Sequence, residues 1–396
     1  MMSTNGSQPR PTAEMLEQMT ELFGFRPSTE QAMAIAAPLE PSVIIAGAGT
    51  GKTTVMAARV TWLVAKGLVR ADQVLGLTFT RKATAELRTR VGRNLTKAGL
   101  LQPDDQEPTV LTYDSFAANL VSEFGAWIGV DPATRLISDA RCVQVALDVL
   151  HDPEKVPPRA GQVTARSIAE GVLSLSEQAS SHAVSMDDLR AANDAWRHQL
   201  DQAAPRKNGE PYVDVVRAQN AAEQRDQLMW YAQEYRNLLT ERGFFRFSDR
   251  LNQAIQLVRD FPRIGQQIRS RYAVVLLDEY QDTSSSQARL LASLFSGSTP
   301  ENGRGHAVTA VGDPLQAIYG WRGAAANNIL DFPRHFPHRD GPDAYDNGQY
   351  SLTQNRRSNQ TILDCANAIS EGIRSDPKIG NVVKQLRVPE DEHAGR

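Results

Sequence analysis

Between an apolar run, Val43-Ile44-Ile45, and a helical stretch at Thr53–Ala65 lies the string Ala46-Gly47-Ala48-Gly49-Thr50-Gly51-Lys52-Thr53. Its alternating glycines free the backbone from the steric limits of other residues, so successive N–H groups can turn inward around an anion. The helix that follows adds the partial positive charge of its N-terminus. Strand, glycine-rich turn and helix in that order commit the chain to an α/β architecture with a phosphate site at a strand's carboxyl end. Lys52 is expected against the β- and γ-phosphates of ATP and the Thr53 hydroxyl on Mg²⁺. Ala46, Gly47, Ala48, Gly49, Thr50, Gly51 and Thr54 complete the expected cradle. Position 46 is alanine where the strict pattern has glycine.

Three more apolar runs follow: Val74-Leu75-Gly76-Leu77, Val274-Val275-Leu276-Leu277 and Ala307-Val308-Thr309-Ala310-Val311. None alternates apolar with polar residues, which suits strands covered on both faces, as in a parallel sheet flanked by helices. Thr53–Ala65 and Lys82–Val91 read as helices. From Ala118 to Arg242 strand-like runs give way to a stretch rich in Ala, Gln, Asp, Leu and Arg, which predicts a mostly helical inserted domain. The expected division is a loose tail at 1–12, an α/β domain at 13–117 and 243–347, the insertion at 118–242, and a last strand-and-helix unit at 348–396.

Leu277 is followed by Asp278 and Glu279, two acids at the end of an apolar strand. Asp278 is a candidate for holding Mg²⁺, and Glu279 for orienting or deprotonating an attacking water. Bulk charge points nowhere: 43 basic against 46 acidic residues leave a formal net charge of −3, so any nucleic acid must be held by a local groove. Two cysteines far apart, Cys142 and Cys365, build neither a disulfide framework nor a metal site and fit a reducing compartment, so the expected location is cytoplasmic. No apolar run reaches the roughly 20 residues that span a bilayer, so no membrane partner is expected.

Longer strings narrow the reading. Asp278-Glu279-Tyr280-Gln281-Asp282-Thr283-Ser284 and the segment from Val311 to Ala324 (VGDPLQAIYGWRGA) resemble motifs II and III of UvrD/PcrA/Rep-type superfamily 1 DNA helicases. Leu77-Thr78-Phe79-Thr80-Arg81-Lys82-Ala83 resembles motif Ia of that family, and Gln354-Asn355-Arg356-Arg357-Ser358 motif IV. The stretches at 62–70 and 75–83 look most like the actinobacterial AdnAB branch. The resemblance implies a RecA-like P-loop domain, 1A, interrupted by a helical domain, 1B, with 348–396 as an incomplete start of a second RecA-like domain, 2A. It implies that Gln31 reads adenine, Gln316 senses the γ-phosphate and its water, and Arg357 reaches the γ-phosphate across the cleft. Lys52, Glu279, Gln316 and Arg357 then form the catalytic set.

The same resemblance implies a DNA track of Phe79, Thr80, Arg81, Thr112, Tyr113, Tyr319, Trp321 and Arg322, on single-stranded DNA or a single-strand/duplex junction. Aromatics in such a track give bases a stacking platform. Two positions depart from the family pattern. Asp114 stands where relatives commonly have His, and a carboxylate there would repel a phosphate. Arg356 stands where relatives have an adenine-stacking Tyr. No string matches motifs V and VI. The expectation is therefore a 3′-to-5′ helicase or translocase acting in DNA repair or recombination, present here as a fragment or half of the motor. The alternative is a non-catalytic nucleotide- or single-strand-binding module that needs a partner chain.

Overall fold

All four apolar runs form strands. The computed structural model describes residues 10–102, 104–131, 134–151, 164–182, 184–320, 324, 326–340 and 348–389. Its strands are β1 (Ser42–Ala46), β2 (Val74–Thr78), β3 (Thr109–Thr112), β4 (Arg135–Leu136), β5 (Phe244–Phe245), β6 (Val274–Leu277), β7 (Ala307–Gly312) and β8 (Gln349–Leu352). Six form one sheet in the order β3-β2-β6-β7-β1-β8, with every pairing parallel. The fold class is α/β.

Helices α1 (Ala13–Phe23), α2 (Thr29–Ile35), α3 (Lys52–Ala65) and α4 (Arg81–Lys97) pack against one face of this sheet. Ile44, Val74, Val110, Leu276 and Val311 point into that layer. Their strand neighbours Val43, Ile45, Leu75, Leu77, Val275 and Ala310 are buried as well. Successive strand residues point to opposite faces, so both faces are covered, and each buried Val, Leu or Ile contributes about 1.5–3 kcal/mol. That double coverage is why the runs are apolar without alternation. In the register, Ile45 lies beside Gly312 and Leu277 beside Ala310. The turns after β1, β6 and β7 therefore open along one edge of the sheet, where parallel α/β sheets take their ligands.

Chain proximity divides the molecule into two units, Met1–Phe116 with Val258–Arg396, and Ala117–Leu257. The second contains α6 (Asp139–Leu150), α7 (Ala165–Ser181), α8 (Met186–Asp201) and α9 (Val213–Glu241), whose core includes Val145, Val149, Val172, Tyr231 and Tyr235. The sequence reading ends this insertion at 242. Chain proximity carries it to 257, and within that stretch Phe244–Phe245 pairs with Arg135–Leu136 in a separate two-stranded sheet. The reading also starts a second RecA-like domain at 348. There the structure has β8, the edge strand of the first sheet, with Ile44 beside Tyr350 and Ala46 beside Leu352. Leu352 is 2% exposed, well covered by its sheet, whereas Ile362 is 57% exposed. Among the described residues no helix is long and apolar enough to cross a membrane.

Arg59 pins α3 in place. Its fully buried guanidinium donates to the carbonyls of Ile35 (3.1 Å), Ala37 (2.7 Å) and Pro38 (3.0 Å) and to the Thr309 hydroxyl (3.2 Å). Burial lowers its pKa to about 10. Methionine keeps much of the stem's packing and removes every donor. Arg59→Met is expected to destabilise the chain by about 3 kcal/mol, because buried carbonyls lose their partners, and urea unfolding measures it.

Candidate functional site

The turn from β1 to α3 forms a loop whose Gly49 and Gly51 have φ of 71° and 90°, a region that favours glycine. The Thr50 hydroxyl closes the loop on the Gly47 carbonyl at 2.8 Å. Gln31, buried, donates its amide to the Thr50 carbonyl at 3.0 Å, while its Oε1 accepts the Ser28 N–H at 3.1 Å in the capping box that starts α2. It thus props the loop and caps its own helix. Lys52 and Thr53 open α3, and the Thr54 hydroxyl is held by Arg90 at 2.7 Å.

The acids lie across from this loop. Lys52 Nζ sits 3.2 Å from Glu279 Oε2. Glu279 has φ of 46°, the one positive value outside glycine among the described residues, and such a backbone costs on the order of 1–3 kcal/mol. The bond from the Asp282 N–H to the Glu279 carbonyl (2.9 Å) closes this turn. Asp278 is 5% exposed, and burial, then the Glu279 charge, push its carboxyl up to about 7, with Lys52 opposing. Burial and Glu279 likewise push Asp282 up to about 6. A buried carboxyl raised by a neighbouring acid is relieved by a cation, so Asp278 is the candidate here for holding Mg²⁺.

Two further turns converge here. After β7, the Asp313 carboxylate caps the Leu315 N–H at 2.9 Å and holds the Gln316 amide. Beyond β8, the Asn355 side chain donates to the Ala48 carbonyl and accepts the N–H groups of Arg357 and Ser358, both at 2.7 Å. The Arg356 N–H donates to the Gly49 carbonyl at 2.9 Å. A Cβ on Gly49 would lie 2.7 Å from Arg357 Cβ, so that glycine is required by this approach as well as by its φ. Along the same edge the rings of Phe79 and Tyr319 meet with centroids 4.8 Å apart, tilted by 35°.

A model of the UvrD/REP helicase N-terminal domain matches residues 27–337. The chain belongs to the UvrD/REP helicase family. It is 28% identical over 383 residues to the ATP-dependent DNA helicase UvrD1 of Mycobacterium leprae, covering 93% of this chain and 42% of the relative. Against UvrD1 of Mycobacterium tuberculosis it is 29% identical over 366 residues, 91% of this chain and 40% of the relative. Against the ATP-dependent DNA helicase PcrA of Staphylococcus aureus it is 27% identical over 349 residues, 86% and 39% of the two. The chain spans about two fifths of the length of these relatives.

The first unit of this UvrD/REP-family chain thus brings Gln31, Lys52, Asp278, Glu279, Gln316 and the backbone of Arg357 around one loop edge. Tyr113 lies off the expected DNA track. The resemblance puts it on the DNA track, but it is 4% exposed and its hydroxyl donates to the Asp278 carbonyl at 2.8 Å, which leaves the ring no face for a base. Its neighbour Asp114 accepts from Gln287 at 2.9 Å, which gives that unusual carboxylate a structural partner. Thr80 and Thr112 use their hydroxyls locally, Thr80 on the Ala83 N–H at the start of α4 and Thr112 on the Ser115 N–H, both at 3.1 Å. Arg81 is exposed. Trp321 and Arg322 lie outside the described residues. The sequence reading misses Gln281, Asp282 and Asn355 as site residues. Gln281 and Asp282 stand inside the motif II string and Asn355 inside the motif IV string, so their signal was position within a motif.

Proposed function

We propose that this chain is the nucleotide-binding part of an ATP-dependent motor that moves on single-stranded DNA. The observation that carries the reading is the Lys52–Glu279 pair beside a glycine-rich loop, on the same sheet edge as the Phe79–Tyr319 ring pair. In this reading Lys52 leaves Glu279 for the β- and γ-phosphates, and the freed carboxylate orients the attacking water. Gln316 and Arg357 contact the γ-phosphate. Asp278 and Thr53 hold Mg²⁺, which when bound neutralises phosphate charge. Phe79, Tyr319 and Trp321 stack on bases, and Thr80, Arg81, Thr112 and Arg322 contact the backbone. Stepping in the 3′-to-5′ direction, in DNA repair or recombination, with a second RecA-like wall supplied by a partner chain, completes the proposal. The relatives' names, ATP-dependent DNA helicase, support it.

ATP turnover measured with and without single-stranded DNA tests the reading. Stimulation by DNA supports a motor. Binding of both ligands with no turnover supports a module that only holds them. The ring pair gives a sharper check. Phe79→Ala and Tyr319→Ala are each expected to weaken single-strand binding about tenfold, since a base–aromatic stack is worth about 1–3 kcal/mol. The double variant loses less than the sum, because the two rings support each other. Fluorescence anisotropy with a labelled oligonucleotide measures both.

A further inference from the structure

Gln281 is 1% exposed and uses both ends of its amide. Nε2 donates to Glu279 Oε2 at 2.8 Å and reaches Asp282 Oδ2 at 3.3 Å. Oε1 accepts the Asp313 N–H at 3.1 Å. One side chain therefore ties the turn after β6 to the turn after β7. Gly312 makes the room: a Cβ there would lie 2.0 Å from Gln281 Oε1. Asp313 passes the tie onward, since its carboxylate holds Leu315 and Gln316. Three residues later comes Tyr319, against Phe79.

We propose that Gln281 is a positioning residue that orients the Glu279 carboxylate and relays its state to the loop carrying Gln316 and Tyr319. This rests on the motor reading above and names the part that joins its two halves. Glu279 Oε2 is shared by two donors, Lys52 at 3.2 Å and Gln281 at 2.8 Å. When Lys52 turns to a triphosphate, Oε2 keeps the amide and loses the ammonium. The amide follows the carboxylate, and Oε1 carries the shift to the Asp313 N–H. Coupling of this kind is reciprocal, so a base seated on Tyr319 bears on Glu279 by the same path. Only a neutral amide of this length donates to two carboxylates and accepts an N–H at once.

Gln281→Met keeps the length and removes the donors and the acceptor, while Gln281→Asn keeps the amide and is too short to span both turns. In the 396-residue chain, Gln281→Met is expected to lower kcat for ATP about tenfold to a hundredfold, the range a misplaced reacting group gives, with KM within about twofold. Stimulation by single-stranded DNA falls to about onefold, and DNA no longer changes the affinity for a non-hydrolysable ATP analogue. A merely structural role moves KM and the unfolding midpoint and spares the DNA response of the chains that remain folded. If Met at 281 unfolds the chain, Gln281→Asn carries the same test. A variant that keeps the wild-type response to DNA in turnover and in analogue affinity overturns the relay and leaves the motor reading standing. A wild-type chain in which DNA changes neither quantity overturns the motor reading, and the relay falls with it.

Discussion

Replacing Lys52 with alanine is expected to cut DNA-stimulated ATP turnover by at least about a hundredfold, the cost of losing one preorganised charge aimed at a developing anion. In the proposed motor this residue has two anionic claimants. Its ammonium lies 3.2 Å from Glu279 Oε2. In that reading a triphosphate in the loop draws the same ammonium to its phosphates, and the departure frees Glu279 for the attacking water. Alanine removes both functions, and it leaves Glu279 beside Asp278 and Asp282 with no cation between them. Since Lys52 opposes the upward push on both buried acids, its loss raises them further and weakens the proposed Mg²⁺ site as well. Lys52→Arg is a useful companion, because it keeps the charge but replaces a compact ammonium by a wide planar fork. Steady-state phosphate release reads both. Turnover within twofold of wild type in Lys52→Ala would remove the hydrolytic role from this loop.

How far the sequence reaches depends on how local the cause is. The β1 turn is legible because glycine, lysine and threonine act within eight residues, and the four apolar runs because each strand is buried on both faces on its own account. β3 escapes notice: Thr109-Val110-Leu111-Thr112 is short and only Val110 is buried, as befits an edge strand. β8 is read as the start of a second domain, since Tyr350-Ser351-Leu352 carries no mark of which sheet it will join. Only pairing with β1 decides that. Tyr113 shows the opposite failure. Its motif context suggests an exposed contact, yet the turn into α5 (Tyr113–Phe124) swings the ring under Asp278. Gln281 is the subtlest case, because an amide in a polar string looks solvated until Asp313, 32 residues on, arrives to fill its acceptor.

Asp278→Asn is expected to cut turnover at least about a hundredfold and yet stabilise the chain, and the two effects have one cause. The carboxyl is pushed up to about 7 by burial and by Glu279. Between about pH 4 and 7 the folded chain thus holds a proton that the unfolded chain has already released, so stability is full below about pH 4, falls as pH rises through that window, and levels off above it. Asparagine carries no charge to bury, and its carbonyl can still accept the Glu279 N–H that Oδ1 accepts at 3.1 Å. Above pH 7 the variant should therefore be more stable than wild type by about 4 kcal/mol, about three pKa units at about 1.4 kcal/mol each, with the difference shrinking to nothing near pH 4. Millimolar Mg²⁺ should narrow it too, by raising the midpoint of the wild-type chain and not that of the variant. Hydrolysis runs the other way: without the charge proposed to hold the cation, turnover should drop at least about a hundredfold. Thermal unfolding at pH 4, 6 and 8, with and without Mg²⁺, separates this account from a simple packing defect. A variant less stable than wild type at pH 8 would show that Asp278 is held for the fold and not for a cation.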